Sequence, residues 1–226
     1  MITRDCRPAI LALIFALPAT LSAQNAPGGP GTIPTWTAGS KEAVGTATST
    51  DSKVWFTLQG GILSEVYYPR LDTANIRTLE FAVSDGKHVW VESKDLRHSL
   101  ERVSDDALLY RQTSSEPAGK FKITKTYVTD PQRDALMMDV TFDRPEAYSV
   151  YVLFDPALKN SGYGDTGFTQ GDALVTQKED VAALVGAPAF TELTNGFAGK
   201  SDGYTDLLVH HRLTQKCGRA ENGNVL

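Results

Sequence analysis

The sequence is poor in cysteine, with two in 226 residues. Cys6 precedes an apolar run near the N-terminus, and Cys217 lies close to the other end of the chain. If the N-terminal region is removed on export, one thiol remains and no internal disulfide can form. The fold must then depend on a hydrophobic core, which a chain of this length can bury without covalent cross-links.

Basic clusters and membrane-length apolar runs are also missing. The chain has 22 Lys and Arg against 27 Asp and Glu, for a net charge of −5. This balance argues against the phosphate backbone of a nucleic acid as a partner. Beyond the N-terminal region, no apolar run approaches the roughly 20 residues that a membrane helix needs. We therefore expect no nucleic-acid partner and no membrane association after processing.

Residues 1–23 are predicted to be a cleavable signal peptide. Arg4 and Arg7 form a positively charged start, an apolar run covers residues 9–17, and Pro18 and small residues lead to Ala23. These are the features that a signal peptidase recognises, and the run is too short for a membrane anchor. We therefore expect an exported protein, periplasmic or extracellular, whose mature chain begins at residue 24.

Apolar periodicity of the helical kind is almost absent, which leaves a β-rich chain. Residues 24–40 are dense in Pro and Gly and are predicted to form an extended lead-in, with Trp36 as a docking point. Residues 41–226 are predicted to form one all-β sandwich, because short β-type runs alternate with turn signals roughly every 8–12 residues. The predicted strands are 54–58, 63–68, 79–83, 89–91, 107–113, 121–128, 135–142, 148–154, 173–175, 181–185 and 190–193, with hairpin turns at Gly60-Gly61 and Asp85-Gly86.

The C-terminal residues 221–226 read as a turn followed by the first two residues of a new strand. Two residues cannot form a stable ladder. We therefore expect the sequence to be a piece of a longer protein, with a β-domain that is incomplete at its C-terminus.

Two glycine-containing motifs match catalytic or cofactor patterns without the required context. Residues 162–167 fit G-x-G-x-x-G, but the residues after Gly167 cannot start the helix that a dinucleotide needs, so we interpret them as a flexible loop. Residues 199–203 fit G-x-S-x-G, but a nucleophile elbow needs a preceding buried strand and a following helix. We interpret this segment as a Ser-Asp-Gly turn.

Metal ligands and paired carboxylates are not indicated either. His210 and His211 are adjacent and would face opposite sides of a strand, and the oxygen donors Asn160, Asp165 and Asp172 lack calcium-loop spacing. No spacing pairs two carboxylates for glycosidic hydrolysis. We predict no metal, no cofactor and no catalytic residue, although the carboxylates available for such a pair are Glu65, Asp85, Asp130, Asp155 and Asp202.

Aromatic residues form the one group that suggests binding. Trp55, Tyr67, Tyr68, Trp90 and Tyr204 are of the type that stacks on sugar faces or fills an interdomain contact, or that lines a sandwich core. Tyr67 and Tyr68 are adjacent on a predicted strand, so at least one ring should point away from the core. We take Trp55, Tyr67, Tyr68 and Tyr204 as candidates for substrate binding or interdomain contact.

In order along the chain, several segments resemble the N-terminal domain of bacterial glucodextranases and glucoamylases. The resemblance covers about residues 26–226. Each segment alone is weak evidence, but six in the order of the family are specific. They are Gly45-Thr46-Ala47, residues 54–58, residues 65–69, residues 130–134, Asp155-Pro156 with Leu158 and Asn160, and residues 199–204 with Asp206-Leu207.

The resemblance implies a large antiparallel β-supersandwich, similar to the galactose mutarotase fold. In the family this domain precedes an (α/α)6 barrel that hydrolyses α-glucans such as starch or dextran from the non-reducing end. The catalytic glutamates of the family belong to the barrel, so the resemblance carries no catalytic residue over to this chain.

Three functional hypotheses follow. The first is a non-catalytic β-domain that packs on and supports the catalytic barrel of an exported exo-acting α-glucan hydrolase. The second is a free-standing carbohydrate-binding module for starch-like glucans. The third, a sugar epimerase, would need a His–Glu site, for which only His88 and His98 lie near suitable strands.

Overall fold

The computed structural model describes residues 24–226. The predicted signal peptide therefore lies outside the described residues. Within them, neither helix is long and apolar enough to cross a membrane.

The described chain is built mainly from fourteen strands in three antiparallel sheets. The strands are β1 Ala43–Thr46, β2 Trp55–Gln59, β3 Ile62–Tyr67, β4 Ala74–Ser84, β5 Val89–Val91, β6 Arg97–Arg102, β7 Tyr110–Ser115, β8 Lys122–Thr129, β9 Leu136–Asp143, β10 Ser149–Pro156, β11 Asp165–Gln170, β12 Ala173–Gln177, β13 Val181–Val185 and β14 Arg219–Gly223; the helices are α1 Glu92–Asp95 and α2 Gly203–His210, with a 3-10 turn at Leu158–Asn160.

The strands of each sheet are antiparallel neighbours. The first sheet has the order β1-β2-β3-β4-β10, with β5 also on β4; the second is β6-β7-β8-β9 and the third is β13-β12-β11-β14. This confirms the all-β sandwich.

Both predicted hairpin turns are present. Gly60 and Gly61 connect β2 to β3 with φ of 56° and 84°, and Gly86 lies between β4 and β5 with φ of 84°. Positive φ is accessible to glycine at little cost, which explains why these turns could be read from the sequence.

The main core lies between the first and second sheets. Phe56 is fully buried, and its ring stacks on Tyr127 of β8 with centroids 5.9 Å apart. Gly45 on β1 leaves room for this ring, because a Cβ there would lie 2.1 Å from Phe56. The other buried apolar members are Ala43, Leu58, Leu63, Leu79, Phe81, Val83, Phe121 and Ile123.

An ion pair is buried within the sandwich. Lys125 Nζ lies 2.6 Å from Glu92 Oε1, and both side chains are fully inaccessible. Lys125 also donates to the Gly61 carbonyl at 2.5 Å, and Glu92 accepts from the Phe81 amide at 3.1 Å. Burial lowers the pKa of Lys125, while the adjacent Glu92 opposes that shift. The pair joins α1, β8 and the β2–β3 turn.

Several strand predictions need correction. The segment 190–193 is not a strand, and β7 begins three residues later than the predicted 107–113. Strands β1, β6, β11 and β14 were not predicted. Strand β11 falls partly within the glycine-containing segment that we interpreted as a flexible loop, and its ladder with β12 explains why that segment is ordered.

Helix α2 corrects the prediction of a Ser-Asp-Gly turn. Asp202 is its N-cap and accepts from the Thr205 amide at 2.7 Å, as short polar N-caps do. Leu207 is fully buried and packs against Ala82 of β4 and Leu153 of β10. The helix therefore covers part of the first sheet on the face opposite the main core.

Residues 24–37 of the predicted lead-in contact distant parts of the chain and include a turn in which the Gly31 amide donates to the Gly28 carbonyl at 3.2 Å; we call these residues the strap. The Ala26 amide donates to the Arg219 carbonyl at 2.7 Å. Pro30 O accepts from the Asn224 amide at 2.8 Å. The strap is thus bound along β14 before it reaches the first sheet.

Candidate functional site

Two of the four candidate aromatic residues lie together on the first sheet. Trp55 of β2 is directly opposite Tyr67 of β3 in the antiparallel register. Opposed residues share a face of the sheet, and Phe56, the neighbour of Trp55, points into the core. Trp55 and Tyr67 therefore face away from the main core, and both are partly exposed.

Tyr68 is separated from that pair. It lines a cleft of about 420 Å³ between the first sheet and β13, together with Asp134 and Leu184. The pKa of the Tyr68 hydroxyl is raised, mainly by the negative charge of Asp134. The structure therefore places Tyr67 and Tyr68 in different surroundings, as their adjacency on a strand predicts.

Tyr204 lies on α2 and makes internal contacts. Lys94 Nζ lies 4.8 Å from the centre of its ring and also contacts its hydroxyl group. The ring packs with Ala82 and Leu153 beneath the helix. Tyr204 thus helps to seat α2 on the same sheet face that carries Trp55 and Tyr67.

Glu65 is the centre of a polar network beside Tyr67. Its carboxylate accepts from Thr37 Oγ1 at 2.5 Å and from the Tyr67 hydroxyl at 2.6 Å, and Lys41 Nζ lies 3.0 Å away. Burial acts to raise the pKa of Glu65, but the hydrogen bonds from Thr37, Tyr67 and Lys41 outweigh it and the pKa falls. Glu65 is therefore ionised at neutral pH, and it holds the strap to β3.

Arg77 and Asp155 form a second link between the strap and the first sheet. Arg77 Nη2 is paired with Asp155 Oδ2, and Nη1 donates to the Thr35 carbonyl at 2.6 Å. Asp155 is 1% exposed, and its Oδ1 has no hydrogen-bond partner among the described residues. Burial raises the pKa of Asp155 to about 6, although Arg77 favours the charged form.

The raised pKa of Asp155 predicts a pH dependence of stability. Its ordinary pKa is 3.8 and its folded pKa is about 6, so the folded state binds the proton more tightly. This contribution is fully present below pH 3.8 and is lost as the pH rises through 6, on the order of 2–3 kcal/mol. Free energies of unfolding measured from pH 4 to 8 should fall more steeply for the wild type than for Asp155→Asn.

The control for this prediction is Asp172→Asn on the exposed β11–β12 turn. It should keep the slope of the wild type. Equal slopes for the wild type and Asp155→Asn would show that Asp155 does not titrate differently in the two states.

The Ser201 hydroxyl group is engaged in hydrogen bonds with the backbone of other residues. Its hydroxyl donates to the Pro27 carbonyl at 2.7 Å and accepts from the Phe197 amide at 3.2 Å, and the residue is 2% exposed. A helix does follow this serine, contrary to our expectation, but the hydroxyl faces the strap. His210, in the last turn of α2, has its Nδ1 bound to Asp206 at 2.8 Å rather than to Ser201.

The candidate metal donors and histidines do not converge. Asn160 accepts from the Ala74 amide at 2.7 Å, whereas Asp165 accepts from the Leu158 amide at 3.2 Å. Across residues 24–226, no group of three or more His, Cys, Asp or Glu side chains could hold a metal. His98 lies 3.5 Å from Glu42 on the surface, outside the clefts described in this section.

A second cleft, of about 450 Å³, runs beside β10. One side is lined by the consecutive residues 148–154, and the other carries apolar side chains from several elements. Those apolar residues are Leu174, Leu184, Phe190, Leu193, Leu207, Leu213 and Leu226.

A model of the family described as glucodextranase, domain N, matches residues 26–226. The chain belongs to this family. The glucodextranase domain N extends over all but two of the described residues, and it includes the strap, the three sheets and α2.

Two glucoamylases are similar to this domain. The chain is 34% identical over 212 residues to the glucoamylase of Clostridium sp. (strain G0005), a match that covers 89% of this chain and 30% of that protein. It also superposes on the crystal structure of a bacterial glucoamylase complexed with acarbose, with a TM-score of 0.85 and 33% identity, over 90% of this chain and 32% of that one. The chain thus spans about a third of the length of these relatives.

The polar links of the strap were missed by the sequence analysis. Arg77 lies in β4 between Ile76 and Thr78, and nothing local indicates that it reaches Thr35 and Asp155.

The burial of Lys125, by contrast, could have been predicted from the sequence, because Ile123 and Tyr127 lie two residues to either side of it. A period of two on a half-buried strand places all three on one face.

Proposed function

We propose that this chain is the non-catalytic N-terminal β-domain of an exported, exo-acting α-glucan hydrolase of the glucoamylase or glucodextranase type. In that protein it packs on an (α/α)6 catalytic barrel and supports it. The observation that carries the proposal is the superposition on a glucoamylase, which covers nearly all of this chain but a third of the relative.

The contacts of the polar side chains agree with a supporting role. Glu65, Asp155 and Ser201 are all engaged in contacts that hold the strap. A glycosidase needs two carboxyl groups on opposite sides of a sugar ring, about 5–9.5 Å apart, with one of them protonated. Glu65 is ionised, and Asp155 is buried against Arg77, so these two do not provide such a pair.

Purified residues 24–226 are expected to release no glucose from maltooligosaccharides, because Glu65 is ionised within its network and Asp155 is buried against Arg77. Glucose can be measured by a coupled assay, with the Clostridium glucoamylase as the positive control. Glucose release above the background of a heat-denatured sample would contradict the proposal.

A second candidate is a carbohydrate-binding module for starch-like glucans. It is favoured by Trp55 and Tyr67, which are partly exposed and directly opposite each other in the sheet, and by Trp36 on the strap, which is 47% exposed. Calorimetry with soluble starch separates the two functions. Binding of starch that is lost in Tyr67→Ala or Tyr68→Ala would support the binding module. The absence of any heat of binding would support the non-catalytic supporting domain.

Export is part of the proposal. Its support is the predicted signal peptide at residues 1–23 and the polymeric nature of an α-glucan substrate, which a cell meets outside its membrane. N-terminal sequencing of the protein secreted by an expressing bacterium should begin at Gln24.

A further inference from the structure

The sequence contains two Asn-Gly pairs, Asn195-Gly196 and Asn222-Gly223. In such a pair the backbone nitrogen of the glycine can attack the side-chain carbonyl carbon of the asparagine, because glycine has no side chain to hinder the approach. The two pairs are chemically alike, so a difference in their reactivity must come from the fold.

The structure favours both residues of the second pair. Asn222 has a φ of 57°, in the left-handed region that asparagine tolerates better than most residues. A Cβ at Gly223 would lie 2.6 Å from the ring of Phe197 and 2.7 Å from the carbonyl oxygen of Pro30 on the strap. The backbone of β14 and the packing of the strap therefore place a reactive dipeptide at this position.

Asn222 is exposed and lies in a bulge of β14. Between the paired residues Asp165–Gly223 and Gly167–Ala220, β14 has one residue more than β11. A bulge interrupts the ladder, so its backbone is held less firmly than a regular strand. The Asn222 amide donates to a threonine hydroxyl of β11 at 3.3 Å, and among residues 24–226 no hydrogen bond holds its side chain.

Asn195 has the opposite surroundings. It is 4% exposed, and its side-chain nitrogen donates to Thr169 Oγ1 at 3.0 Å and to the Cys217 carbonyl at 3.3 Å. The backbone nitrogen of Gly196, which would be the nucleophile, donates to the Leu226 carbonyl at 3.1 Å. Attack would have to break these bonds at a buried position, so the fold protects this pair.

We propose that Asn222 is a site of deamidation through a succinimide, and that Asn195 is protected from the same reaction. The Gly223 nitrogen loses its proton and bonds to Cγ of Asn222, and the side-chain nitrogen leaves with that proton as ammonia. Water then opens the five-membered ring. Addition at Cγ gives aspartate, whereas addition at the main-chain carbonyl carbon gives isoaspartate. The reaction does not depend on the proposed role in glucan hydrolysis.

The two products have different effects on the domain. Asn222 Oδ1 and Lys178 Nζ both lie near Gly164, at 3.6 and 3.4 Å from the position of a Cβ there, so an aspartate gains a nearby positive charge. Isoaspartate instead adds one carbon atom to the main chain of β14. Two residues further on, the Asn224 amide donates to the Pro30 carbonyl at 2.8 Å. We therefore expect isoaspartate, but not aspartate, to loosen the strap.

The test follows deamidation of the purified chain in mildly alkaline buffer. Trypsin cleaves after Lys178, Lys200 and Arg219, so the two Asn-Gly pairs fall in separate peptides, 179–200 and 220–226. Mass spectrometry measures the conversion of amide to acid, and fragmentation assigns it to Asn222. In the folded protein we expect conversion at Asn222 to be about tenfold faster than at Asn195 or more, because a buried segment reacts only when it opens. In concentrated urea the two pairs should convert at similar rates.

Two variants separate the new charge from the longer main chain. Asn222→Gly accepts the left-handed conformation and cannot deamidate. Asn222→Asp carries the charge on a normal main chain. Both should resist proteolysis within the strap as well as fresh wild-type protein does, whereas incubated wild-type protein that is rich in isoaspartate should be cleaved there faster.

Three results would overturn the inference. One is that Asn222 stays intact in the folded protein while it converts in urea, since the bulge would then protect it. Another is equal conversion of both pairs in the folded protein. The third is that isoaspartate leaves proteolysis of the strap unchanged, or that fresh Asn222→Asp is cleaved equally fast, which would remove the effect assigned to the longer main chain.

Discussion

Replacing Glu92 with glutamine is expected to lower the free energy of unfolding by about 3–5 kcal/mol. The substitution removes the negative charge beside the Lys125 ammonium group, which is then left in the closed sandwich with neutral oxygens, such as the Gly61 carbonyl, as its acceptors. Removing one partner of a buried pair is costly, because the other charge stays desolvated. Since domains are stable by about 5–15 kcal/mol, the variant should be close to unfolding at 37 °C.

Urea titrations followed by circular dichroism measure this loss. The double variant Glu92→Gln with Lys125→Met should recover most of it, because no buried charge then remains. The matched control is Glu101→Gln, whose partner Arg111 is exposed on the second sheet, and it should change stability little. If Glu92→Gln were no less stable than this control, the buried pair would not contribute as described.

Replacing Arg77 with methionine is the second substitution with a large expected effect. It leaves the buried Asp155 carboxylate without its counter-charge, which should cost about 3–5 kcal/mol at neutral pH. It also removes the hydrogen bond to the Thr35 carbonyl, so the strap loses one of its attachments to the first sheet. We expect both a lower free energy of unfolding and faster proteolysis within residues 24–37.

The pH dependence of the stability loss in Arg77→Met shows whether the loss comes from the unpaired charge of Asp155 or from lost packing. Without Arg77, the folded pKa of Asp155 rises further above 6, so the carboxyl is neutral over a wider range. The loss should therefore shrink as the pH falls towards 5, and Asp155→Asn in the same chain should remove most of it at pH 7.5. Arg70→Met, at an exposed pair with Asp72, is the control. A loss that does not vary with pH would point to packing alone.

The strands that could be predicted are those whose apolar pattern is visible within the segment itself, without knowledge of a partner strand. Strand β8 alternates apolar and polar residues, and β10 is a continuous apolar run that ends at proline. Strand β6, Arg-His-Ser-Leu-Glu-Arg, has one apolar residue, and it exists because β7 supplies its ladder. Segment 190–193 has suitable composition, but no described strand pairs with it, and it is irregular. Propensity in sheets depends on partners that are distant in the chain.

The start of helix α2 could have been predicted from the sequence, but its stability could not. Asp202 is a favourable N-cap, and His210 lies in the last turn, as the dipole prefers. However, eight residues are too few for isolated helical stability, and the buried side of the helix is formed by Leu207 on the first sheet. Its formation therefore depends on tertiary packing.

The candidate site was predicted in part. Tyr67 at the end of β3 and Tyr68 directly after it have different surroundings, as alternation of side chains predicts, and β2–β3 pairing brings Trp55 to Tyr67. The network below them could not be predicted, because Thr37 and Glu65 are 28 residues apart and Arg77 and Asp155 are 78 apart. Sequence patterns describe faces of elements, whereas these contacts depend on how a Pro- and Gly-rich segment crosses the sheet.

The strap also constrains the order of events during biosynthesis. Its partners include Arg219 and Asn224, and the Asn224 side chain bonds to the Thr32 carbonyl across 192 positions. A ribosome adds about 5–20 residues per second, so the strap emerges at least several seconds before these partners exist. Until then the contacts of the strap with Arg219 and Asn224 cannot form, whereas those of Thr35 and Thr37 with β4 and β3 can. Attachment of residues 26–32 of the strap must therefore wait until Arg219 and Asn224 have been synthesised.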